Sequence, residues 1–306
     1  MRIQKTIDNR KEDLIMTNDT SPTYMAFQHD SHLLQLETQV ISVRPALEMD
    51  ESNQKVFKQD FTEQDYVVVT KDTIFHAQGS IRRASIGTNC NAHNLTGGGQ
   101  PTDVGIMTSA SDAAAKFEVT SVRVDASNNG QVLHLGQFSA QNFRPADAVR
   151  QEVDAEKRLL YSRLHTAGHV LGAAVRHLLE DQIEGFDELK ASHFPDSAGC
   201  EFQGLIDGKH KAAIQERLTE YVQRAVPVEI DFWSEDDFRK EGLERLIPDR
   251  SLLPPGEDKF RVVKLVGLET YPCGGTHVDT SDQCGDVNVK KISRSKGTSR
   301  VSYTVK

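Results

Sequence analysis

Two short stretches, RLHTAGHVLG at 163 to 172 and YPCGGTHVDT at 271 to 280, place the tightest constraint on how this chain folds. In the first, His165 and His169 stand four residues apart and so share one face of a helix. In the second, Cys273 and His277 repeat that spacing on a loop opened by Pro272, Gly274 and Gly275. Three imidazoles and one thiol match the ligands and the tetrahedral preference of zinc. For all four to grip one ion, a helix and a loop about a hundred residues apart must converge. Gly274 and Gly275 are read as the bend that turns both loop side chains toward one point. A metalloprotease is excluded, because H-E-x-x-H needs a glutamate beside the first histidine and Thr166 stands there. The ligands alone leave open whether the site is closed and structural or keeps a position for water or substrate.

The chain changes character around these anchors. Residues 1–22 read as a disordered lead-in, with Met16 an alternative start. Residues 23–147 read as short strands: LLQLETQVISVRPA, DYVVVTKDTIFH, AAKFEVTSVRVDA and GQVLHLGQF alternate or are rich in β-branched residues, between Gly, Asn and Asp. NNG at 128 to 130 suits a hairpin turn. A small antiparallel β-barrel is the expected architecture. From 148 to 306 the pattern becomes α+β. A helix is expected from about Ala148 to Glu180, with Leu160, Leu164, Ala167, Leu171, Val175 and Leu178 as its buried stripe and the two histidines at the border of that face. Gly168 and Gly172 weaken a helix, which is tolerable if another backbone passes close by. A second helix over about Lys209 to Arg224 and strands in PVEIDFWS and KFRVVKLVG complete a two-layer α+β zinc-binding domain.

Composition narrows the function. With 306 residues, 37% hydrophobic and 26% charged, the chain reads as globular. No apolar run approaches the roughly 20 residues that span a bilayer. The polar start, MRIQKTIDNRKEDLIM, lacks a secretory core, so a cytoplasmic protein with no membrane partner is expected. The four cysteines, Cys90, Cys200, Cys273 and Cys284, form no CxxC pair and suggest no disulfide framework. A net charge of −9 gives no global steering toward nucleic acid, so such a partner needs a local basic surface. KKISRSKGTSR at 290 to 300, with five Lys or Arg and no acid, is the candidate.

Taken in order, RLHTAGHVLG, ASHFPDSAGCEF and YPCGGTHV resemble the editing domain shared by alanyl-tRNA synthetases and free-standing alanyl-tRNA editing proteins. AFQHDSHLLQLETQVISV, the TIF segment at 73 to 75 and GGGQPTDVG resemble the glycine-rich barrel preceding it. The resemblance spans about 25 to 306 and points to a stand-alone, trans-acting member, since no room exists for aminoacylation domains. It implies hydrolysis of the ester of tRNA(Ala) mischarged with serine, or with glycine, by a monomer holding one zinc ion on His165, His169, Cys273 and His277. Zinc would activate a water or anchor the substrate's α-amino group. An alanine pocket cannot fully exclude a side chain larger by one hydroxyl, which is why a second, hydrolytic sieve is needed. Gln100 of GGGQP matches a family glutamine at the editing pocket and Thr73 a threonine facing it; both offer hydrogen bonds for catalysis and substrate binding. Ser192 is the better substrate-binding candidate of the Ser192–His193 pair, both of which read mainly as strand structure. Gly97, Gly98 and Gly99 lack the lysine of a phosphate loop and read as a tight turn that places Gln100. Cys200 and Cys284 read as buried apolar residues, and His177 and His210 as surface positions without partners. Two rivals stand beside this reading: a catalytically inactive, zinc-stabilised tRNA-binding module, and an editor of threonine tRNA.

One stretch departs from the pattern. GSIRRASIGTNCNAHNLT at 79 to 96 separates TIFHAQ from GGGQ, where the family has only a few residues. Its ends can encode splice junctions, and its removal leaves FHAQGGGQP. A retained intron is the expectation; as translated protein, the insertion would lie beside Gln100.

Overall fold

The computed structural model describes residues 19–78, 99–126, 130–250, 253 and 257–306. Most of the expected lead-in, the 79–96 insertion with Cys90, Gly97 and Gly98, and the two asparagines of the NNG turn lie outside the described residues.

Six antiparallel strands close a barrel: β1 (Gln35–Pro45), β2 (Asp65–Thr70), β3 (Gly105–Ser109), β4 (Lys116–Val124), β5 (Val132–Phe138) and β6 (Ala148–Val153), ordered β1-β2-β5-β4-β3-β6. Period-two patterning sends Phe117, Val119, Met107, Val149 and Val153 inward with Val43, Val68 and Val132. Strand β6 corrects the expected helix start at Ala148. In AVRQEV the inward positions are Val149, Gln151 and Val153, and the polar Gln151 disguises the alternation. Its amide is satisfied inside the barrel, accepting from the Ile74 N–H at 2.9 Å and donating to Thr70 Oγ1 at 3.1 Å. The helix begins one residue after Asp154, whose carboxylate caps it by accepting from Lys157 N.

That helix, α1 (Ala155–Leu179), is central to the second half of the chain. Leu164, Ala167, Leu171 and Val175 are buried as expected, while Leu160 and Leu178 are partly covered. A four-stranded sheet packs on it, built from β7 (Asp187–Ser192), β8 (Gly199–Gln203), β12 (Val287–Ser295) and β13 (Thr298–Val305) in the order β12-β13-β8-β7. Between β8 and β12 in sequence come α2 (Lys211–Gln223) and a three-stranded sheet of β9 (Val228–Trp233), β10 (Phe260–Leu265) and β11 (Glu269–Pro272). Side chains from α1, α2 and the inner face of the four-stranded sheet form one core. The helix glycines answer to side chains rather than to a passing backbone. A Cβ on Gly168 would meet the His193 ring at 2.3 Å, and one on Gly172 the Glu188 carboxylate at 2.6 Å. His177 also departs from expectation, bonding Tyr221 Oη at 2.7 Å and lying 3.2 Å from Glu269. No helix among the described residues is long and apolar enough to cross a membrane.

Barrel and helix are joined by a buried ion pair. Arg158 on α1 meets Asp103, which follows the GGGQP turn, at 2.5 Å, and both side chains are almost wholly buried. The same guanidinium donates to the carbonyls of Ser31 and Ile74. Asp103 also accepts from the His76 N–H at 2.6 Å. Removing one partner strands the other charge, so Arg158→Leu should lower folding stability by about 3–5 kcal/mol, read as a drop in the urea midpoint.

Two buried histidines give the fold a pH signature. Burial, above all, holds His134 inside the barrel and His76 beside it at about 4 instead of 6.5. The folded chain keeps both neutral, whereas the unfolded chain protonates both below pH 6.5. Their contribution is therefore intact above 6.5 and is lost as pH falls from there toward 4, at about 1.4 kcal/mol per pH unit for each ring. Urea midpoints measured from pH 7.5 to 4.5 should show this decline; a flat profile would contradict it.

Candidate metal centre

His165 and His169 project from one face of α1, and Cys273 and His277 come from the loop leaving β11. One ligand atom from each lies within 4.8 Å of every other, so the four predicted ligands do meet. Cys273 Sγ is 3.4 Å from Nε2 of both His165 and His277. His165, Cys273 and His277 are buried and His169 is half-buried.

The hydrogen bonds behind the cluster settle which nitrogens face it. The backbone N–H of Thr276 can only donate, and it donates to Gln100 Oε1 at 3.0 Å. That identifies the amide oxygen, and the same oxygen lies 2.7 Å from His165 Nδ1. His165 therefore carries its proton on Nδ1 and turns a bare Nε2 toward Cys273. On the other side, His277 Nδ1 contacts Thr166 Oγ1 at 3.1 Å, and that hydroxyl also accepts from the Val278 N–H. Burial, reinforced by neighbouring imidazoles, holds His165 and His277 well below the ordinary histidine range, so both rings are neutral ligands. Burial pushes the Cys273 thiol up, and the nearby Arg261 guanidinium opposes it.

Arg261, on β10, gives the clearest sign that the donor set fits a metal. It donates to the carbonyls of Gln28 at 2.7 Å and Cys273 at 2.5 Å, but its Nη2 is buried without a partner. Among the described residues it has no carboxylate partner. A thiolate at Cys273, the form in which sulfur binds metal, supplies the missing negative charge. Three imidazoles and one thiolate suit zinc.

Gly275 lies at a bend of the loop, as expected, and it also acts through the space it leaves. Neither loop glycine adopts a positive φ. A Cβ on Gly275 would sit 2.2 Å from the His165 ring and 2.6 Å from Gln100 Oε1. Only a glycine lets the loop lie against both.

The structure distributes the other predicted site residues unevenly. Gln100 is wholly buried and fixes His165 from behind, with Nε2 donating to Thr276 Oγ1 at 2.8 Å. Thr73 is committed inside the barrel. His134 Nδ1 faces the Val68 carbonyl at 2.9 Å and so donates, which leaves its Nε2 to accept from the Thr73 hydroxyl at 2.8 Å. That hydroxyl also accepts from the Phe75 N–H. A cavity of about 40 Å³ lies beside the cluster, where β7 and β11, the edge strands of the two sheets, face each other over α1. His165, His169, His193, Glu188, Tyr271 and Cys273 are among its lining; Thr73, Gln100 and Ser192 are not. Ser192 pairs with Gly199 on the sheet face away from the core, while His193 is 3% exposed and turned inward. The preference for Ser192 over its neighbour thus runs against the geometry, although strand alternation in LKASH already places Ala191 inward and Ser192 outward. Thr166, used at first only to exclude a protease, orients His277. Gly99 has a φ of +98° and packs against β7, its carbonyl accepting from the His193 N–H at 2.6 Å.

Residues 260–302 match the family described as the threonyl and alanyl tRNA synthetase second additional domain. Among similar proteins is an alanyl-tRNA editing protein, AlaX-L, of Pyrococcus horikoshii, 26% identical over 68% of this chain and 48% of its own length. AlaX-M of Methanosarcina barkeri is 28% identical over 68% of this chain and 83% of its own length. An alanine–tRNA ligase of Methanobrevibacter smithii is 25% identical over 98% of this chain and 29% of its own length. The chain is thus a relative of the stand-alone alanyl-tRNA editing proteins. It spans about half the length of the Pyrococcus relative and about a fifth of the Lachnoclostridium and Thermotoga ligases.

If Gln100 sets the His165 tautomer, Gln100→Leu should weaken zinc binding by about 10–100-fold. Competition against a chromogenic chelator measures this, and unchanged affinity would remove Gln100 from the metal centre.

Proposed function

We propose that this chain is a zinc-dependent aminoacyl-tRNA hydrolase that acts in trans on tRNA(Ala) mischarged with serine, with glycine the second candidate. The observation that carries the reading is the convergence of four ligands beside a small cavity in a relative of alanyl-tRNA editing proteins. His165, His169, Cys273 and His277 would hold the zinc ion, which would supply Lewis acidity at the ester or at a water. Gln100 and Thr166 hold two of the imidazoles in orientation, and burial keeps them neutral. The cavity has room for about three groups of water size, which suits a serine or glycine side chain and crowds a larger one.

The RNA itself needs a positive surface on a chain of net charge −9. β12 is an edge strand on which Lys290, Lys291 and Arg294 are exposed, followed at once by the exposed Lys296. Successive strands lie about 4.8 Å apart, so β12 is roughly 10 Å from the cavity-lining β8. That separation favours phosphates of the acceptor end as its partners. The same placement supports an RNA partner, and the choice of tRNA(Ala) rests on the similarity to alanyl-tRNA editing proteins.

Deacylation of seryl-, glycyl- and alanyl-tRNA(Ala) by the zinc-loaded chain tests the reading. Seryl-tRNA should be cleaved, alanyl-tRNA spared, and His165→Ala should reduce the seryl rate by more than about 100-fold with the fold retained. A parent chain that binds tRNA without cleaving any of the three would leave only a zinc-stabilised binding module.

A further inference from the structure

His193 has a role that neither the metal cluster nor the core accounts for. Its ring is seated from three sides. Tyr303 Oη lies 2.8 Å from Nδ1, Gly168 leaves space where a Cβ would strike the ring at 2.3 Å, and a Cβ on Gly99 would press on Cδ2 at 3.3 Å. The Tyr303 hydroxyl has one proton, which it gives to the Leu164 carbonyl at 2.8 Å, so it receives the Nδ1 proton of His193. Nε2 is thereby left as a bare acceptor. It has no hydrogen-bond partner among the described residues, and the ring lines the cavity, stacked on His165 with centroids 4.3 Å apart. A fixed acceptor on a buried ring that lines a cavity favours a ligand that brings a donor.

The aminoacyl group carries two donors, the α-ammonium and a side-chain hydroxyl, while the ribose 2′-hydroxyl beside the ester is common to every amino acid and gives no preference among them. An ammonium at His193 would face the field of a cation held one ring away, whereas a neutral hydroxyl would not. The cavity admits a hydroxymethyl group within its room for about three water-sized groups. We propose that His193 Nε2 accepts a hydrogen bond from the side-chain hydroxyl of the esterified amino acid and so favours serine over alanine and glycine. This assignment rests on the hydrolase reading above and deepens it. It makes His193, rather than Ser192, the specificity-determining residue of the Ser192–His193 pair.

The test uses the zinc-loaded full chain and non-hydrolysable 3′-amide-linked seryl, alanyl and glycyl adenosines, with binding read by calorimetry. Two substitutions separate the two nitrogens. His193→Asn keeps a donor near Tyr303 and removes the acceptor, while His193→Gln places an amide oxygen near the Nε2 position. The parent should bind the seryl amide about tenfold more tightly than the alanyl and glycyl amides. His193→Gln should keep that preference and His193→Asn should lose it, with zinc content unchanged and each protein folded at the temperature of the measurement. A His193→Asn protein that still prefers the seryl amide, or that weakens all three equally, overturns the assignment and leaves the hydrolase reading standing. If His193→Asn fails to fold, a folded, zinc-loaded His193→Gln protein without the seryl preference overturns it equally. A parent that binds none of the three amides overturns both.

Discussion

The carboxamide of Gln100 is the contact on which the site depends. It joins a barrel turn, the metal loop and α1 in a single group, accepting from Thr276 N and His165 Nδ1 and donating to Thr276 Oγ1. Because all of it is buried, each of those bonds must be present or a polar atom is stranded at a cost of about 1–3 kcal/mol. The side chain therefore does two things at once. It fixes the tautomer of a ligand, and it fixes where the barrel sits against the helix.

That contact belongs to a larger arrangement on α1. Arg158, Ser162, His165 and His169 recur at helical spacing and form a second stripe, which is polar. Arg158 meets Asp103, Ser162 meets Thr276, His165 meets Gln100, and His169 joins the cluster. The apolar stripe faces the sheet and α2, while the polar one is covered by the barrel turn and the metal loop. The helix is covered on both sides at His165, which is an interior group, whereas His169 stays half-buried at the border.

This explains what could be read in the sequence. The four ligands, the barrel strands in FEVTSVRV and VLHLGQF, and helix α2 were legible because local spacing alone dictates them. Strand β6 was missed because Gln151 is an inward polar residue whose partners, Ile74 and Thr70, lie some eighty residues away. The bend at Gly275 was legible but the space it leaves for the His165 ring was not, because a residue's identity shows its freedom of dihedral but not which ring approaches it. His193 and Thr166 gained their roles only through Tyr303 and His277, partners more than a hundred residues distant. Thr73 was carried over from a resemblance, whereas its hydroxyl is engaged with His134.

The polar stripe also limits how the two halves of the chain can meet. One helical turn is 5.4 Å, and sliding the barrel along α1 by that distance would bring Asp103 opposite Ser162 and Gln100 opposite His169. The guanidinium of Arg158 would then be left with no anion, and the shifted amide would no longer find Thr276. Apolar ridges tolerate such slippage, since one methyl group replaces another with little penalty. A row of unlike polar groups does not, so the docking of barrel to helix has a single admissible register, set by contacts that do not involve an ion.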